Sequence, residues 1–329
     1  MKALVLTRYG PPEDLAFREE PRPEPGPREV QVEVRAAGVN DWDWNLVRGK
    51  PAYMRALCGL RRPRVRIPGT ELAGVVRAVG ASVTRWRPGD RVLGDVSEAG
   101  FGAFAETVCV DQDVLTRIPE GLGDVEAAAL PHAAGLAVQG LRELGTLRPG
   151  ERVLVNGAGG GVGALAARLA DHLGAGHVTG IDHGDKLAGL SDVGYDATHD
   201  YRTHDFTRAD ERYDLVLDVR TDRSPRAYAR ALRPGGRYVT VGGDAGKLMR
   251  LATYGRFVGR RAAKRLRVLA LKPNVGLDLA LQLVTDGTLA PTIDRVFPLD
   301  EGARAIRRFG ESRHTGKVVI TTKAADSDR

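Results

Sequence analysis

The sequence predicts an α/β protein: a doubly wound parallel sheet wrapped by helices, joined to a β-rich domain. Three observations carry that prediction. Short alternating apolar runs broken by turn signals fill residues 1 to about 120, and from about residue 121 helical stretches alternate with short apolar runs. At Arg152–Leu165 an apolar strand runs straight into a glycine-rich turn and then an alanine-rich helix. A length of 329 residues, against roughly 100 to 200 per domain, agrees with two domains.

In chain order, the β-rich part reads as strands at Lys2–Thr7, Val30–Ala36, Gly74–Val79, Arg91–Leu93 and Phe104–Val110. Between Glu20 and Arg28 four prolines exclude a helix or a central strand, which leaves an extended connector. Helices follow at Val125–Leu144 and Gly161–Leu173, with strands at Val153–Val155, His177–Ile181, Asp214–Val219, Arg237–Val241 and Leu266–Leu271. Crossovers of helical length between such strands make the sheet parallel. After Lys272-Pro273-Asn274 come a helix at Leu277–Thr285 and strands at Arg295–Pro298 and Lys317–Thr321, whose β character resembles the first part. The domains expected are 1–122, 123–272, and a return to the first domain over 273–329. Only Ala324–Arg329 has the composition of a disordered tail.

Composition excludes several classes. No apolar run approaches the roughly 18 residues of a membrane span, and the two cysteines, Cys58 and Cys109, cannot build a disulfide framework or a four-cysteine zinc site. The first ten residues lack the pattern of a signal peptide, so a cytoplasmic protein is expected. The net charge of +7 permits an anionic partner, but the basic residues are scattered apart from two clusters, Arg61–Arg66 and Arg256–Arg267, and nucleic acid is not expected. A solvated loop and a helix with one basic face are the plain readings of those clusters.

The glycine-rich turn reads Ala158-x-Gly160-x-x-Gly163, the dinucleotide fingerprint with alanine at its first position. Small residues there let the backbone turn tightly and approach a pyrophosphate, whose charge meets the amides of a helix N-terminus. Ala158, Gly159, Gly160, Gly161, Val162 and Gly163 are therefore the candidate cofactor loop. Asp182, nineteen residues past Gly163 at the end of the second strand, stands where an acid meets the adenosine ribose and would repel a 2′-phosphate. NADH is favoured over NADPH on that reading; Lys186, Tyr201 and Arg202 could line the same end and reverse the preference. Val241-Gly242-Gly243 closes the fifth strand as a turn that could border nicotinamide.

Ala37-Gly38-Val39-Asn40, Ile67 to Gly74, Pro88-Gly89-Asp90-Arg91-Val92, the Ala158 loop and Gly316-Lys317-Val318-Val319 occur in the order that resembles the medium-chain dehydrogenase/reductase superfamily. The likeness is to its zinc-independent quinone oxidoreductase, or zeta-crystallin-like, branch. The resemblance implies a GroES-like catalytic domain beside a Rossmann domain, homodimers formed through the Rossmann sheet, and NAD(P)H as cofactor. Where zinc-dependent relatives place metal ligands, this sequence holds Asn40, Thr70 and His132, with Glu71 retained. An amide and a hydroxyl are poor zinc ligands, so no metal is expected. Without a Lewis acid, a quinone or an α,β-unsaturated carbonyl suits the site, its developing oxyanion met by Asn40, Thr70 and His132, with His132 the candidate proton donor. Each also has a plainer reading, as a turn cap, a packing residue and a structural histidine. Trp42, Trp44 and Tyr53 fall where the family lines its substrate entrance, and they are equally readable as packing. Two other functions remain open: an alcohol dehydrogenase with a lost or rebuilt metal site, and a non-catalytic crystallin-like or RNA-binding protein.

Overall fold

Backbone pairing sorts the strands into two main sheets, one in each of two units. The computed structural model describes residues 1–322; the tail read at Ala324–Arg329 lies outside them. In chain order the described strands are β1 (Lys2–Val5), β2 (Ala16–Glu19), β3 (Glu29–Gly38), β4 (Glu71–Val79), β5 (Arg91–Asp95), β6 (Thr107–Asp111), β7 (Thr116–Arg117), β8 (Arg152–Asn156), β9 (His177–Asp182), β10 (Ala197–Asp200), β11 (Tyr213–Asp218), β12 (Leu232–Thr240), β13 (Arg265–Val268), β14 (Ile293–Pro298) and β15 (Lys317–Thr321).

The first unit comprises Met1–His132 and the chain from Ile293. Its sheet runs β14-β15-β3-β4-β5-β7, with β6 also on β3, and β1 and β2 form a separate antiparallel pair. Along β3 the side chains alternate, burying Val30, Val32 and Val34 completely, and the strand ends in Ala36-Ala37-Gly38, small enough to be buried on both faces. Smallness is required there: a Cβ on Gly38 would fall 2.1 Å from a Glu71 carboxylate oxygen.

The second unit, Ala133–Thr292, holds a six-stranded parallel sheet in the order β10-β9-β8-β11-β12-β13. Counted within the sheet this is 3-2-1-4-5-6, the doubly wound order of dinucleotide-binding domains, whose ligand crevice lies at the carboxyl ends of the first and fourth strands, where the order reverses. Here those are β8 and β11. Its core packs Leu154 and Val216 with Tyr213, Tyr228 and Tyr238, the last two stacked at 4.1 Å.

The units meet in sequence at His132/Ala133 and Thr292/Ile293, later than the sequence reading of 122/123 and 272/273. Asp124–Ala128 packs on β3 and β4, which carries the chain past residue 123 in the first unit. The helix Leu277–Thr285 stays with the second, anchored where the Gln139 side chain donates to the carbonyls of Lys272 and Val275. The helix expected over Val125–Leu144 is two: it breaks before Pro131, which cannot donate to a preceding turn, and resumes over Pro131–Val138.

Candidate functional site

In the first unit, Asn40 ends the β3 turn and starts the helix Asp41–Arg48. Three residues on, the Asp43 carboxylate reaches back to accept the Asn40 backbone N–H at 2.9 Å, half of a capping box. It also accepts the Gly69 N–H at 3.0 Å and the Thr70 hydroxyl at 2.9 Å. Asp43 is wholly buried, and that burial lifts its pKa to about 7 against the pull of these three donors. The Thr70 hydroxyl proton is thus committed to Asp43, which fits the packing reading of Thr70 as readily as the catalytic one.

The centre of the cluster is a buried ammonium. Lys317 Nζ lies 2.5 Å from Glu71 Oε1, 2.6 Å from Asn40 Oδ1 and 3.3 Å from the Val39 carbonyl. Asn40 Nδ2 donates to the same Glu71 oxygen at 3.0 Å, and Glu71 Oε2 accepts the His132 backbone N–H at 2.7 Å. These contacts set the direction of the Asn40 amide: its oxygen faces a cation and its nitrogen a carboxylate, with one N–H left over. His132 is also buried, its Nδ1 2.9 Å from Asp95 Oδ2 and its Nε2 3.5 Å from Asp41 Oδ1. Burial alone would depress its pKa; hydrogen bonds and charge from Asp41 and Asp95 overcome that and raise it to about 10, so the ring is an imidazolium at neutral pH. For Asp95, burial acts upward, but the His132 and Ser97 contacts prevail and hold its carboxyl below the usual range.

Sequence reasoning placed Asn40, Thr70 and His132 in one site, and the structure joins them through residues it did not single out as functional: Asp43, Asp95 and Lys317. That donor set does not fit zinc. The Asn40 oxygen and Glu71 are bound to Lys317, the Thr70 hydroxyl to Asp43, and the histidine nitrogens face two carboxylates; an ion at the centre would meet an ammonium. The aromatic residues divide. Trp44 sits under the Arg48 guanidinium at 4.3 Å and so close to Gly310 that a Cβ there would overlap its ring, which makes it a packing residue. Trp42 is half-buried beside Phe101, and Tyr53 is exposed.

In the second unit the loop after β8 opens the helix Gly161–His172. A Cβ on Gly163 would come within 2.3 Å of the Gly157 carbonyl, so that glycine lets the helix approach the strand. At Gly160 the nearest chain atom would be 3.6 Å from a Cβ, so space remains beside the free amides of the helix start, a cradle suited to a pyrophosphate. Ala158 is buried under the turn, and Gly161 and Val162 begin the helix. Asp182 accepts the Gly159 N–H at 2.8 Å and the His183 N–H at 2.7 Å, tying the end of β9 to the loop. Lys186 Nζ lies 3.9 Å from Asp182, Arg202 is paired with Asp200 at 2.6 Å, and half-exposed Tyr201 stands edge-on to His183. Val241 and Gly242 follow β12; Gly243, at φ 129°, bridges to Thr221, a backbone position that only glycine fills without strain. The residues present fit a nicotinamide dinucleotide.

Residues 26–120 match the family model of the alcohol dehydrogenase GroES-like domain, and residues 193–320 that of zinc-binding dehydrogenase. A pikromycin polyketide synthase component of Streptomyces venezuelae is 35% identical over 309 residues, 91% of this chain but 8% of that protein. The chain spans between 8 and 15% of the length of the first curated relatives it matches. Among solved structures, the quinone oxidoreductase from Coxiella burnetii superposes with a TM-score of 0.87 at 26% identity, covering 98% of this chain and 99% of that one. A CurK enoyl reductase superposes with a TM-score of 0.83 at 28% identity, covering 97% and 98%. Among the described residues no helix is long and apolar enough to cross a membrane, and no group of three or more His, Cys, Asp or Glu is placed to hold a metal ion.

Proposed function

Because the chain belongs to the medium-chain dehydrogenase/reductase superfamily, in its quinone-oxidoreductase-like branch, and is an oxidoreductase, we propose that it is a zinc-free, NAD(P)H-dependent reductase of quinones or α,β-unsaturated carbonyl compounds. The observation that carries this reading is Lys317: a fixed ammonium bound to Glu71 and Asn40 stands among the donors a zinc ion would need. The Ala158–Gly163 loop would hold the cofactor, with Asp182 at its ribose, and the chemistry it would supply there is hydride for the electrophilic carbon of the acceptor. Asp182 favours NADH, because a 2′-phosphate would meet its charge.

The residues of the first unit then handle the oxygen and the proton. Asn40, its amide held by Lys317 and Glu71, donates its remaining N–H to the enolate or quinol oxygen as charge develops. Preset direction gives this contact its value, since no reorganisation is needed when the charge appears. His132 is the proton source: its Nε2 proton faces Asp41, whose side chain is half-exposed and can exchange with solvent. A hydrogen-bond donor alone polarises a simple ketone less than a metal does, so a conjugated acceptor is the substrate class. Trp42 and Tyr53 line its approach.

Likeness to an enoyl reductase and to polyketide synthases extends the reading to an enoyl acceptor within a biosynthetic sequence. A cytoplasmic homodimer completes it. The test is cofactor oxidation with 1,4-benzoquinone, a cyclic enone and a saturated ketone in parallel. Turnover of either conjugated acceptor, with the ketone inert, supports the proposal; reduction of the ketone alone returns the chain to the alcohol dehydrogenases.

A further inference from the structure

The connection from β10 to β11, which lies wholly among the described residues, is a run of turns without a helix, and two histidines close its start. His199, on β10, and His204 stack face to face, their ring centres 4.1 Å apart and their planes 16° from parallel. His204 Nε2 is buried and has no hydrogen-bond partner among the described residues. A neutral imidazole tolerates this, because one of its nitrogens carries no proton. An imidazolium carries a proton on each nitrogen and would bury an N–H without an acceptor. Two imidazolium rings stacked this closely would also repel each other.

Glu211 and Asp205 face the pair. Their charges favour a protonated ring, but burial first, and then His199, outweigh them and hold the His204 pKa below the ordinary 6.5. Both carboxylates stay charged while the histidines titrate. The Tyr213 hydroxyl, donating at 2.7 Å, and the charge of Arg152 hold Glu211 below the usual range; burial acts upward on Asp205, but its Thr207 contacts and the charges of Arg223 and Arg208 prevail. The closed turn takes up a proton less readily than an open one. It therefore keeps its full stability above pH 6.5 and loses ground as pH falls below that value.

This turn reaches the adenosine end of the proposed cofactor site. Asp200, next to His199, accepts the Thr203 and His204 N–H groups on its carbonyl at 3.1 and 2.8 Å and holds Arg202 on its carboxylate at 2.6 Å. The Tyr201 N–H donates to the Asp182 carbonyl at 3.1 Å, and the Tyr201 ring meets His183 edge-on. Contact is close enough that a Cβ on Gly184 would fall 2.6 Å from an Asp200 carboxylate oxygen. We propose that His199 and His204 form an acid-sensitive latch: protonation of both rings opens the 200–204 turn, frees Tyr201 from Asp182 and releases the adenosine half of the dinucleotide. The latch rests on the dinucleotide reading of the Ala158 loop and Asp182, and it adds a control by pH that hydride transfer itself does not require.

The test is isothermal titration of the chain with ADP-ribose, an acid-stable probe of the adenosine half, at about pH 7.5 and at about pH 5. Affinity should fall roughly tenfold or more at the acid end in the wild type, and stay within about twofold in His204→Phe and in His199→Phe, which keep a flat ring but take no proton. Hydrogen exchange reads the latch without ligand: protection of the Tyr201 and His204 amides should drop in acid in the wild type and persist in the His199→Phe variant. No binding of ADP-ribose at about pH 7.5 would sink the dinucleotide reading itself. Equal affinity at both pH values, or amide protection that acid leaves unchanged in the wild type, would overturn the latch alone. So would an acid loss that both variants retain, which would assign the effect to His183, whose Nδ1 lies 3.3 Å from Asp185 beside the same turn.

Discussion

Replacing Lys317 with methionine removes the ammonium but keeps the length of the apolar stem. Glu71, with no exposed surface, then loses the cation that pairs with it, and Asn40 Oδ1 loses its donor. A buried charge stripped of its partner costs about 3 to 5 kcal/mol, far more than the pair itself contributes, because desolvation of the survivor is no longer offset. Against a total stability of about 5 to 15 kcal/mol this is a large fraction. In a unit of this size about 1 kcal/mol moves Tm by about 2 to 4 °C, so Lys317→Met should lower the Tm of the first unit by about 6 to 20 °C. Calorimetry with NADH titration separates the units: the lower transition should move, while cofactor affinity at the Ala158 loop stays within a factor of about 2. Adding Glu71→Gln to Lys317→Met should recover more than half of the loss, since the orphaned charge is then gone. A Lys317→Met protein within about 1 kcal/mol of wild type, or a double variant less stable than the single, would refute the claim that a buried ion pair holds Asn40.

Gly160→Val should abolish NADH binding while leaving Tm near wild type, because the added atoms occupy the space meant for pyrophosphate and touch little of the chain itself; normal affinity in the folded variant would sink the loop assignment. For His132 the folded pKa of about 10 lies above the unfolded 6.5, so its contribution to stability is complete below pH 6.5 and is lost as pH rises through 10. His132→Gln should therefore flatten the decline in stability between pH 7 and 10, and an unchanged slope would contradict the imidazolium. Asn40→Ala should cut kcat roughly a hundredfold or more, the loss of about 2.7 to 4 kcal/mol seen when an oxyanion donor is removed. A rise in KM with kcat untouched would leave Asn40 as a positioning residue.

Much of this was legible in the chain, for identifiable reasons. The parallel sheet announced itself because β8, β9, β11 and β12 are short apolar runs bounded by turns, but β10, Ala-Thr-His-Asp with all four residues half-buried, has no pattern to read. The helix Gly302–Gly310 was not read, although its buried Gly302, Ala305 and Ile306 fall at the i, i+3, i+4 spacing of one face. The loop and Asp182 were readable because fixed spacings enforce them. Asp43 had a signal, three residues after Asn40 at capping-box spacing. Lys317 had a fainter one: a lysine opening a strand whose five residues are all buried must find a counter-charge. Asp95 had none, since its contact with His132 joins residues 37 apart across the fold. The domain limits slipped because packing against β3 and β4, and the Gln139 contacts, decide them.

The central claim, hydride transfer to a conjugated acceptor without zinc, is tested most directly by steady-state NADH oxidation with 1,4-benzoquinone after exhaustive chelation, with metal content measured on the same sample. The account predicts undiminished turnover in protein holding far less than one zinc per chain. Activity that vanishes with the metal and returns on adding zinc alone would contradict it.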